Sequence, residues 1–297
     1  MKKVVVRIAE GLGNQLFMYA NAYTLSKKIN YTLFTDSTSG YFKKKNQTRA
    51  YELSKLNISA SEIDNSYKYD NYLLDIKRKF YKKLDSFFYK KNFLIENIDH
   101  NKITEYNNYS NNNFSNLLRI EGYYQSEKYF CDYKNELISE FQIQNNFINI
   151  DHPIINSLKK ENSVSLSIRQ NRYSEGKIIN KDKSRLFIKD TINYIKKSVS
   201  FFKKKLDSPK FYLWADDFSN LSEYFDKNEF SFIINPNNKI LNDFNLFKYS
   251  KHFIVGPTSF HWWGAWLNKN PNKICLRPSN INPSNNKDYW PEDWISL

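Results

Sequence analysis

The amino-acid sequence predicts an α/β protein of two domains, each built on a parallel sheet. Short β-branched runs alternate with helical segments along most of the chain, which is typical of strands joined by helical crossovers. Polar residues follow several of these runs, and ligands of parallel sheets bind beyond the carboxyl ends of the strands. A length of 297 residues allows two such domains with cores of their own.

The first predicted domain covers residues 1–155. It begins with a strand over 3–9, where Val4, Val5 and Val6 are β-branched, followed by a glycine loop. A helix over 16–29 and a strand over 31–36 complete one strand–helix–strand unit. The later predicted elements are a helix over 75–88, a loop over 107–113, a strand over 116–124 and an amphipathic helix over 126–141.

The second predicted domain covers residues 156–297. Residues 145–161 lack a clear hydrophobic period and contain His152-Pro153, so they predict the linker between the domains. The predicted strands are 163–169, 210–215, 231–234, 252–255 and 273–276. The predicted helical stretches are 190–202, 221–225 and 243–249.

The chain is basic, with a net charge of +14. An anionic substrate, an acidic membrane surface and nucleic acid are the three partners that such a charge suggests. The lysines are spread along a sequence rich in Lys, Asn, Ile and Tyr, so compositional bias with a diffuse attraction for anions is favoured. The lack of a clustered basic stripe argues against nucleic acid.

Cysteine, histidine and hydropathy patterns further limit the class of protein. Cys131 and Cys275 form no CxxC pair, and the four histidines are far apart in sequence, so neither a disulfide framework nor a metal site is expected. No apolar run approaches the ~20 residues of a membrane span, and the N-terminus has no signal-peptide pattern. These patterns predict a soluble, cytoplasmic protein.

The glycine loop at residues 10–14 is the most specific local pattern. Gly11 and Gly13 separate a β-branched run from a helix start, which is how α/β proteins direct backbone amides at an anion. Asn14 and Gln15 add neutral hydrogen-bonding groups. The loop has neither the third glycine of the dinucleotide fingerprint nor the Gly-Lys-Ser/Thr of the ATPase loop, so an ordinary tight turn is the alternative interpretation.

Three further clusters follow predicted strands. Arg169 can bind a diphosphate, and hydroxyl groups in the segment 257–260 (Pro-Thr-Ser-Phe) can bind phosphate oxygens at a helix start. Asp216 and Asp217 suit ribose or base hydroxyls, Mg²⁺, or the cap of a following helix. The alternatives are an ordinary ion pair for Arg169 and a core role for the tryptophans at 262, 263 and 266.

Four segments, in order, resemble the α-1,2-fucosyltransferases of glycosyltransferase family 11. They are 11–17 (Gly-Leu-Gly-Asn-Gln-Leu-Phe), 121–130 (Glu-Gly-Tyr-Tyr-Gln-Ser-Glu-Lys-Tyr-Phe), 215–217 (Ala-Asp-Asp) and 258–267 (Thr-Ser-Phe-His-Trp-Trp-Gly-Ala-Trp-Leu). The resemblance implies a GT-B-like fold of two Rossmann-like domains facing a central cleft. It implies an inverting enzyme that moves fucose from GDP-fucose without metal or other cofactor, in bacterial O-antigen or related surface polysaccharide synthesis.

The resemblance also implies roles for individual residues. Arg169 is the expected catalytic group, and the second domain is expected to hold the nucleotide. The expected donor contacts are Gly11, Gly13, Asn14, Asp216, Asp217, Asp243, Thr258, Ser259 and Phe260. The first domain is the expected acceptor side, with contacts from Gln15, Gln125 and Glu127.

The acceptor and the cellular location of the protein follow less directly from the resemblance. An oligosaccharide, lipid-linked as in surface polysaccharide assembly, is the expected acceptor. The segment 77–93 is basic and aromatic, so peripheral contact with the inner face of the cytoplasmic membrane and a solvated helix face are both open.

The sequence departs from the family pattern in one motif. Where the family has His-x-Arg-Arg-Gly-Asp-Tyr, this chain has Ser-Ile-Arg-Gln-Asn-Arg-Tyr at 167–173, so the first arginine is kept as Arg169 while the histidine, the second arginine, the glycine and the aspartate are lost. His261 stands where the family has serine, and Pro257 where it has asparagine. A transferase for another nucleotide sugar, or a glycan- or nucleic-acid-binding relative without catalysis, therefore stays open, and no general base is evident.

Overall fold

A computed structural model describes residues 1–43, 49–96, 103–172, 180–235 and 239–297. The chain forms two compact units, one of residues 1–142 with 284–291 and one of 143–283 with 292–297. The division therefore lies thirteen residues before the predicted boundary at 155/156, and a short late segment joins the first unit. Tyr173, the last residue of the family motif, lies outside the described residues.

The first unit contains a five-stranded, all-parallel sheet with the order β3-β2-β1-β5-β4 among the described residues. Its strands are β1 (Lys3–Arg7), β2 (Thr32–Asp36), β3 (Ser61–Glu62), β4 (Lys91–Ile95) and β5 (Phe114–Glu121). Val4, Val5 and Val6 of β1 are buried, as the β-branched run predicts. Strands β3 and β4 were not predicted, because β3 has two residues and β4 lies in an Asn- and Lys-rich stretch.

Three helices belong to the first unit: α1 (Leu12–Lys28), α2 (Tyr72–Leu84) and α3 (Lys134–Glu140). α1 begins four residues before the predicted 16 because the amides of Asn14 and Gln15 already bond the carbonyl of Gly11, at 3.0 and 3.1 Å. The helix is buried on nearly all sides, so Gly13, Asn14 and Gln15 lie in its first turn.

The predicted helix over 126–141 is wrong in its first half. Residues 127–129 and 131–133 form two 3₁₀ turns before α3 begins. The Ser126 hydroxyl accepts from the Lys128 amide, and Phe130 adopts φ −146°, ψ 2°, which interrupts a helix. The turns bury both Tyr129 and Phe130, so local capping and aromatic burial override the helical period.

The second unit contains a six-stranded, all-parallel sheet with the order β11-β10-β9-β6-β7-β8 among the described residues. Its strands are β6 (Ser163–Ile168), β7 (Lys210–Ala215), β8 (Phe230–Phe232), β9 (His252–Ile254), β10 (Cys275–Arg277) and β11 (Ile295–Ser296). All six residues of β6 are buried, as expected for a central parallel strand covered on both faces. The sequence analysis missed β11.

The helices of the second unit are α4 (Ile154–Lys160), α5 (Lys181–Lys205), α6 (Lys239–Phe247) and α7 (Ser259–Trp266). α4 lies inside the predicted linker, so that prediction is wrong; its seven residues are too few to show a period, yet Ile155 and Leu158 are buried. α5 begins nine residues before the predicted 190, where the Asn180 side chain caps it through the Lys183 amide. The predicted helical stretch at 221–225 is a 3₁₀ turn.

The two parallel sheets with crossover helices confirm the predicted α/β class. Across the described ranges, no helix combines the length and apolarity needed to cross a bilayer.

Candidate functional site

In each sheet the chain adds strands first on one side of a central strand and then on the other. The crevice between the two sides is the topological switch point. In the first unit this is the crevice between β1 and β5, and in the second it is the crevice between β6 and β9. Ligands of open parallel sheets bind at such switch points, beyond the carboxyl ends of the strands. The predicted glycine loop follows β1, and Arg169 and Thr258 follow β6 and β9.

The glycine loop leaves the N-terminus of α1 uncapped. Gly11 is the N-cap residue with φ −81°, has no side chain to cap the first-turn amides, and no acidic residue lies in that turn. A Cβ on Gly11 would meet nothing closer than 3.8 Å, whereas one on Gly40 would lie 1.9 Å from the Ile8 carbonyl oxygen. The packing of the protein itself therefore requires a glycine at position 40 but not at position 11. A glycine at position 11 would instead allow a ligand to approach the backbone closely.

Gln15 is fully buried and bonded to backbone. Its Nε2 donates to the carbonyls of Glu10 and Ala50 at 2.8 and 2.7 Å, and its Oε1 accepts from the Glu52 amide at 2.9 Å. Both N–H groups are used, and the side chain is 0% exposed. The structure thus gives Gln15 the task of tying the glycine loop to residues 50–52, in place of the predicted acceptor contact.

Asn14 and Gln125 meet at the switch point of the first unit. The Gln125 Nε2 donates to the Asn14 Oδ1 at 2.9 Å, which joins the start of α1 to the segment after β5. This bond orients the Asn14 amide, whose two N–H groups are left for other acceptors. Glu127, two residues on, is half-buried in the first 3₁₀ turn.

Arg169 directly follows β6 and is half-buried. The next two amides, of Gln170 and Asn171, donate to the Oδ1 and Oδ2 of Asp216 at 2.7 and 3.1 Å. Asp216 lies at the end of β7, so its carboxylate fixes the loop that carries Arg169. Both of its oxygens accept backbone amides, so Asp216 supports the loop of Arg169, and its predicted contact with the donor stays a prediction.

Asp217 and Gln170 complete the link between the loops after β6 and β7. Asp217 Oδ1 accepts from the amide and hydroxyl of Ser219, at 2.8 and 2.7 Å. The Gln170 Nε2 donates to the carbonyls of Asp217 and Ser219, at 2.7 and 2.9 Å. Asp217 thus caps the turn at Ser219, not a following helix, and Gln170 acts as a tether where the family has a second arginine.

Arg172 joins the β6 loop to the loop after β9. Its Nη1 donates to the Pro257 carbonyl and its Nη2 to the Pro283 carbonyl, both at 3.1 Å. Its guanidinium also lies 5.2 Å from the centroid of the Phe187 ring. Arg172 is therefore held by the backbone carbonyls of Pro257 and Pro283.

Thr258 is the N-cap of α7 and is buried. Its Oγ1 accepts from the His261 amide at 3.4 Å, so the hydroxyl proton stays available to an acceptor such as a phosphate oxygen. Ser259 is half-buried in the first turn. The Phe260 ring packs on Phe244 of α6, with ring centroids 5.5 Å apart.

His261 of α7 contacts the carboxyl-terminal end of β6. Its Nε2 is hydrogen-bonded to the Ser167 hydroxyl. A Cβ on Gly256 would lie 2.4 Å from its Nδ1, so the imidazole fits only against a glycine. Burial, with a smaller contribution from the charge of Arg169, lowers the pKa of His261 to about 3, so the ring is neutral at pH 7.

Asp243 is buried on α6, next to Phe244. Its Oδ1 accepts from the Asn235 Nδ2 at 2.5 Å. α6 packs on α7, so Asp243 and Phe260 belong to one helix pair. The tryptophans at 262, 263 and 266 are buried, which gives them the core role.

The structure groups the predicted residues by unit. In the first unit, Gly11, Gly13, Asn14 and Gln125 lie at one switch point. In the second, Arg169, Asp216, Thr258 and Ser259 lie at the strand ends around the other. Sequence reasoning missed Ser167 and Gln170 as positioning groups, although both fall in the one motif that departs from the family. In the described ranges, no three His, Cys, Asp or Glu side chains are grouped as metal ligands.

Comparison with known proteins gives consistent matches over the whole chain. A family model described as glycosyl transferase family 11 matches residues 3–297. An Escherichia coli α-1,2-colitosyltransferase is 28% identical over 100% of this chain and 99% of its own length. The E. coli O-antigen biosynthesis glycosyltransferase WbnK is 25% identical over 98% of this chain and 99% of its own.

Solved structures share the fold at low sequence identity. The NodZ α-1,6-fucosyltransferase soaked with GDP-fucose has a TM-score of 0.54 at 13% identity, covering 95% of this chain and 97% of its own. A mutant of Arabidopsis thaliana FUT1 in complex with GDP has a TM-score of 0.54 at 12% identity, covering 95% and 71%. With the two parallel sheets, these likenesses confirm the predicted GT-B-like α/β class.

Proposed function

Because the chain belongs to glycosyltransferase family 11, as its motifs predict, we propose that it transfers fucose from GDP-fucose to a hydroxyl of an O-antigen glycan. The proposed product has an α-1,2 linkage, formed with inversion at the anomeric carbon. The chain is a glycosyltransferase by family and by its relatives. The sugar, the linkage and a lipid-linked acceptor are proposed in addition to this family-level activity.

The observation that carries the proposal is the convergence of three phosphate-binding features at the switch point of the second unit. Arg169 follows β6, Thr258 follows β9 with its hydroxyl at the start of α7, and that helix directs its N-terminal amides to the same edge. We assign the diphosphate of the donor to these groups. Asp216 acts as a positioning residue because it holds the loop of Arg169. Asp243 and Phe260 are assigned to the nucleoside end of the donor.

The chemistry requires negative charge to be stabilised on the departing diphosphate. The acceptor oxygen forms a bond to the anomeric carbon as the bond from that carbon to the β-phosphate oxygen breaks. The bonding electrons leave with GDP, and the acceptor proton passes to solvent or to GDP. A preorganised donor such as Arg169 is worth about 3 kcal/mol in such a transition state. The neutral His261 adds no competing charge beside it.

We assign the acceptor to the first unit. The Asn14–Gln125 pair supplies amide groups that can bond sugar hydroxyls, and Glu127 lies two residues further along. The start of α1, where no side chain caps the first-turn amides, suits sugar or phosphate oxygens. Gln15 is dropped from the proposed acceptor set because its carboxamide is used by backbone groups.

GDP-colitose is the second candidate donor. Colitose is fucose without its 3-hydroxyl group, and a relative named as a colitosyltransferase is 28% identical over the whole chain. The altered motif at 167–173 supports a change of donor, since it removes a charged side chain at Gln170.

A donor hydrolysis screen tests the proposal without knowledge of the acceptor. Purified protein is incubated with GDP-fucose, GDP-colitose, GDP-mannose and UDP-glucose, and nucleotide release is measured. We expect release from GDP-fucose, with GDP-colitose as the alternative. Arg169→Ala should lower that rate about 100-fold, because about 3 kcal/mol of transition-state stabilisation is lost. Arg185→Ala, on the exposed side of α5, is the matched control.

Three results would contradict the proposal. Preferred release from UDP-glucose would remove the GDP-deoxysugar assignment. Unchanged turnover in Arg169→Ala, with an unfolding temperature equal to that of the wild type, would remove Arg169 from the mechanism. Binding of GDP-fucose without any release, in the presence of purified O-antigen glycans, would favour a binding protein.

A further inference from the structure

Helix α2 (Tyr72–Leu84) is inverted with respect to an ordinary surface helix. Its buried residues are Asp75 and Arg78, which are charged. Its large apolar side chains Leu73, Ile76 and Phe80 are exposed, Leu73 by 77%. A helix of a globular protein normally places its apolar stripe toward the core, so this orientation needs its own explanation.

Ion pairs hold the polar side of α2 on the first unit. Arg78 donates to Asp75 Oδ1 at 2.6 Å and to Glu121 Oε2 at 2.5 Å. Lys82 donates to the same Glu121 oxygen at 2.8 Å. Glu121 ends β5 and is buried, so these bonds fix the rotation of the helix about its axis. The outward direction of the apolar side chains is therefore set by a buried charge network.

The exposed apolar residues of α2 form one stripe along the helix, and Lys83 lies within the same arc. At 100° per residue, Tyr72, Ile76, Phe80 and Leu73 fall within an arc of about 100°. The turn after the helix extends the stripe with Phe87, which is 83% exposed, and Tyr89. We call these six side chains the α2 face. An apolar patch of this kind on a surface marks an interaction site.

The exposed charged side chains of the α2 segment itself are lysines. Lys77, Lys79, Lys83 and Lys90 are exposed along the helix and the following turn. Within residues 72–91, the carboxylates are Asp75 and Asp85, and both are buried. Exposed aromatic and aliphatic side chains flanked by lysines are the pattern of a helix that lies in a membrane interface.

A cavity of about 400 Å³ opens beside the stripe. Lys77, Tyr81 and Phe88 line it from the α2 segment, and Lys68 and Arg119 line it from the rest of the unit. Arg119 lies over the Tyr69 ring at 5.0 Å, and no described residue accepts from its buried Nε. Cations and aromatic rings around an open cavity suit an anionic headgroup.

We propose that the α2 face binds the surface of a bilayer that contains anionic phospholipids, with the apolar stripe among the acyl-chain ends and the lysines at the headgroup phosphates. A second copy of this chain fits less well, because a symmetric contact would bring the same lysines together. The proposal does not depend on the donor. Since Glu121 lies four residues before Gln125, the face is anchored to the segment that carries the proposed acceptor contact.

Vesicle co-sedimentation of the full chain tests the proposal. The wild type is mixed with phosphatidylcholine vesicles, with or without roughly a quarter phosphatidylglycerol. We expect binding to the anionic vesicles that weakens as salt is added, since screening shortens the reach of the lysines. Leu73→Gln/Phe80→Gln should lower the partition constant at least about tenfold. Lys77→Gln/Lys83→Gln should lower it roughly fivefold per lysine.

Matched controls come from exposed positions of the second unit. Leu186→Gln/Ile240→Gln removes apolar side chains of similar exposure, and Lys196→Gln/Lys197→Gln removes exposed lysines. Both should bind like the wild type, and unfolding temperatures establish that every variant is folded.

Three outcomes would overturn the proposal. The first is a wild type that does not sediment with anionic vesicles. The second is an α2-face variant that binds as well as its control. The third is a wild-type dimer in lipid-free buffer that Leu73→Gln/Phe80→Gln converts to a monomer, since the face would then be a protein interface. Donor hydrolysis is measured separately, so failure here leaves the proposed function untouched.

Discussion

At the scale of single residues, His261 shows how the chain handles charge next to Arg169. A protonated histidine here would repel the guanidinium and would lack solvent, so the fold keeps the ring neutral. The Ser167 hydroxyl supplies its hydrogen-bond partner. Where the family has serine, this chain therefore has a larger side chain that adds no charge.

The neutral histidine predicts a pH-dependent stability. The pKa of His261 is about 3 in the folded state against an ordinary value of 6.5, so below pH 6.5 the unfolded chain binds a proton that the folded chain does not. The contribution of the neutral His261 to the free energy of unfolding is complete above pH 6.5 and is lost as the pH falls toward 3. His261→Gln, which can still bond Ser167, should reduce the loss of unfolding free energy between pH 7.5 and pH 5 by about 2 kcal/mol.

Urea unfolding at a series of pH values measures this difference. Ser167→Ala is the control, because it removes the hydrogen-bond partner but leaves a titrating, buried histidine. It should lower stability at pH 7.5 while keeping the wild-type slope. A slope in His261→Gln equal to that of the wild type would show that His261 titrates normally.

At the scale of elements, three loops at the strand ends of the second unit are interlocked. Asp216 after β7 holds the amides after β6, and Arg172 bonds the carbonyl of Pro257 after β9. The position of Arg169 therefore depends on the loops that follow three strands: β6, which it follows directly, β7 and β9. Such support limits the motion of Arg169, the proposed catalytic group.

This arrangement predicts unequal effects for two adjacent carboxylates. Asp216→Ala frees the amides of Gln170 and Asn171, so the loop of Arg169 loosens and donor kcat/KM should fall about tenfold, mainly through kcat. Asp217→Ala changes the turn at Ser219 and should have less than about a threefold effect. Donor hydrolysis kinetics measure both. Equal losses in the two variants would contradict the positioning role of Asp216.

The same elements show what the sequence can and cannot predict. Strand β7 is found at its predicted bounds because five of its six residues are buried and a polar pair follows it. Helix α4 and strand β11 were missed because so short a segment carries no measurable period. The strand ends that bear Arg169 and Thr258 were predictable from residue type, whereas the Asn14–Gln125 bond joins residues 111 positions apart.

At the scale of the whole molecule, positive charge is abundant and acidic clusters suited to a metal are lacking in the described part of the chain. The family resemblance implies transfer without a metal ion, with Arg169 and backbone amides supplying the charge at the diphosphate. We predict that dialysis against EDTA changes the rate of donor hydrolysis by less than about twofold. A rate that is lost on dialysis and restored by Mg²⁺ or Mn²⁺ would contradict this prediction.

The chain passes between the two units more than once: residues 284–291 return to the first, and 292–297 go back to the second, where β11 forms an edge of the sheet. Each unit therefore takes part of its structure from the last fourteen residues. As the nascent polypeptide emerges from the ribosome, neither unit can finish folding until these residues have been released from the exit tunnel. Folding of either unit is thus completed only when its part of residues 284–297 is available.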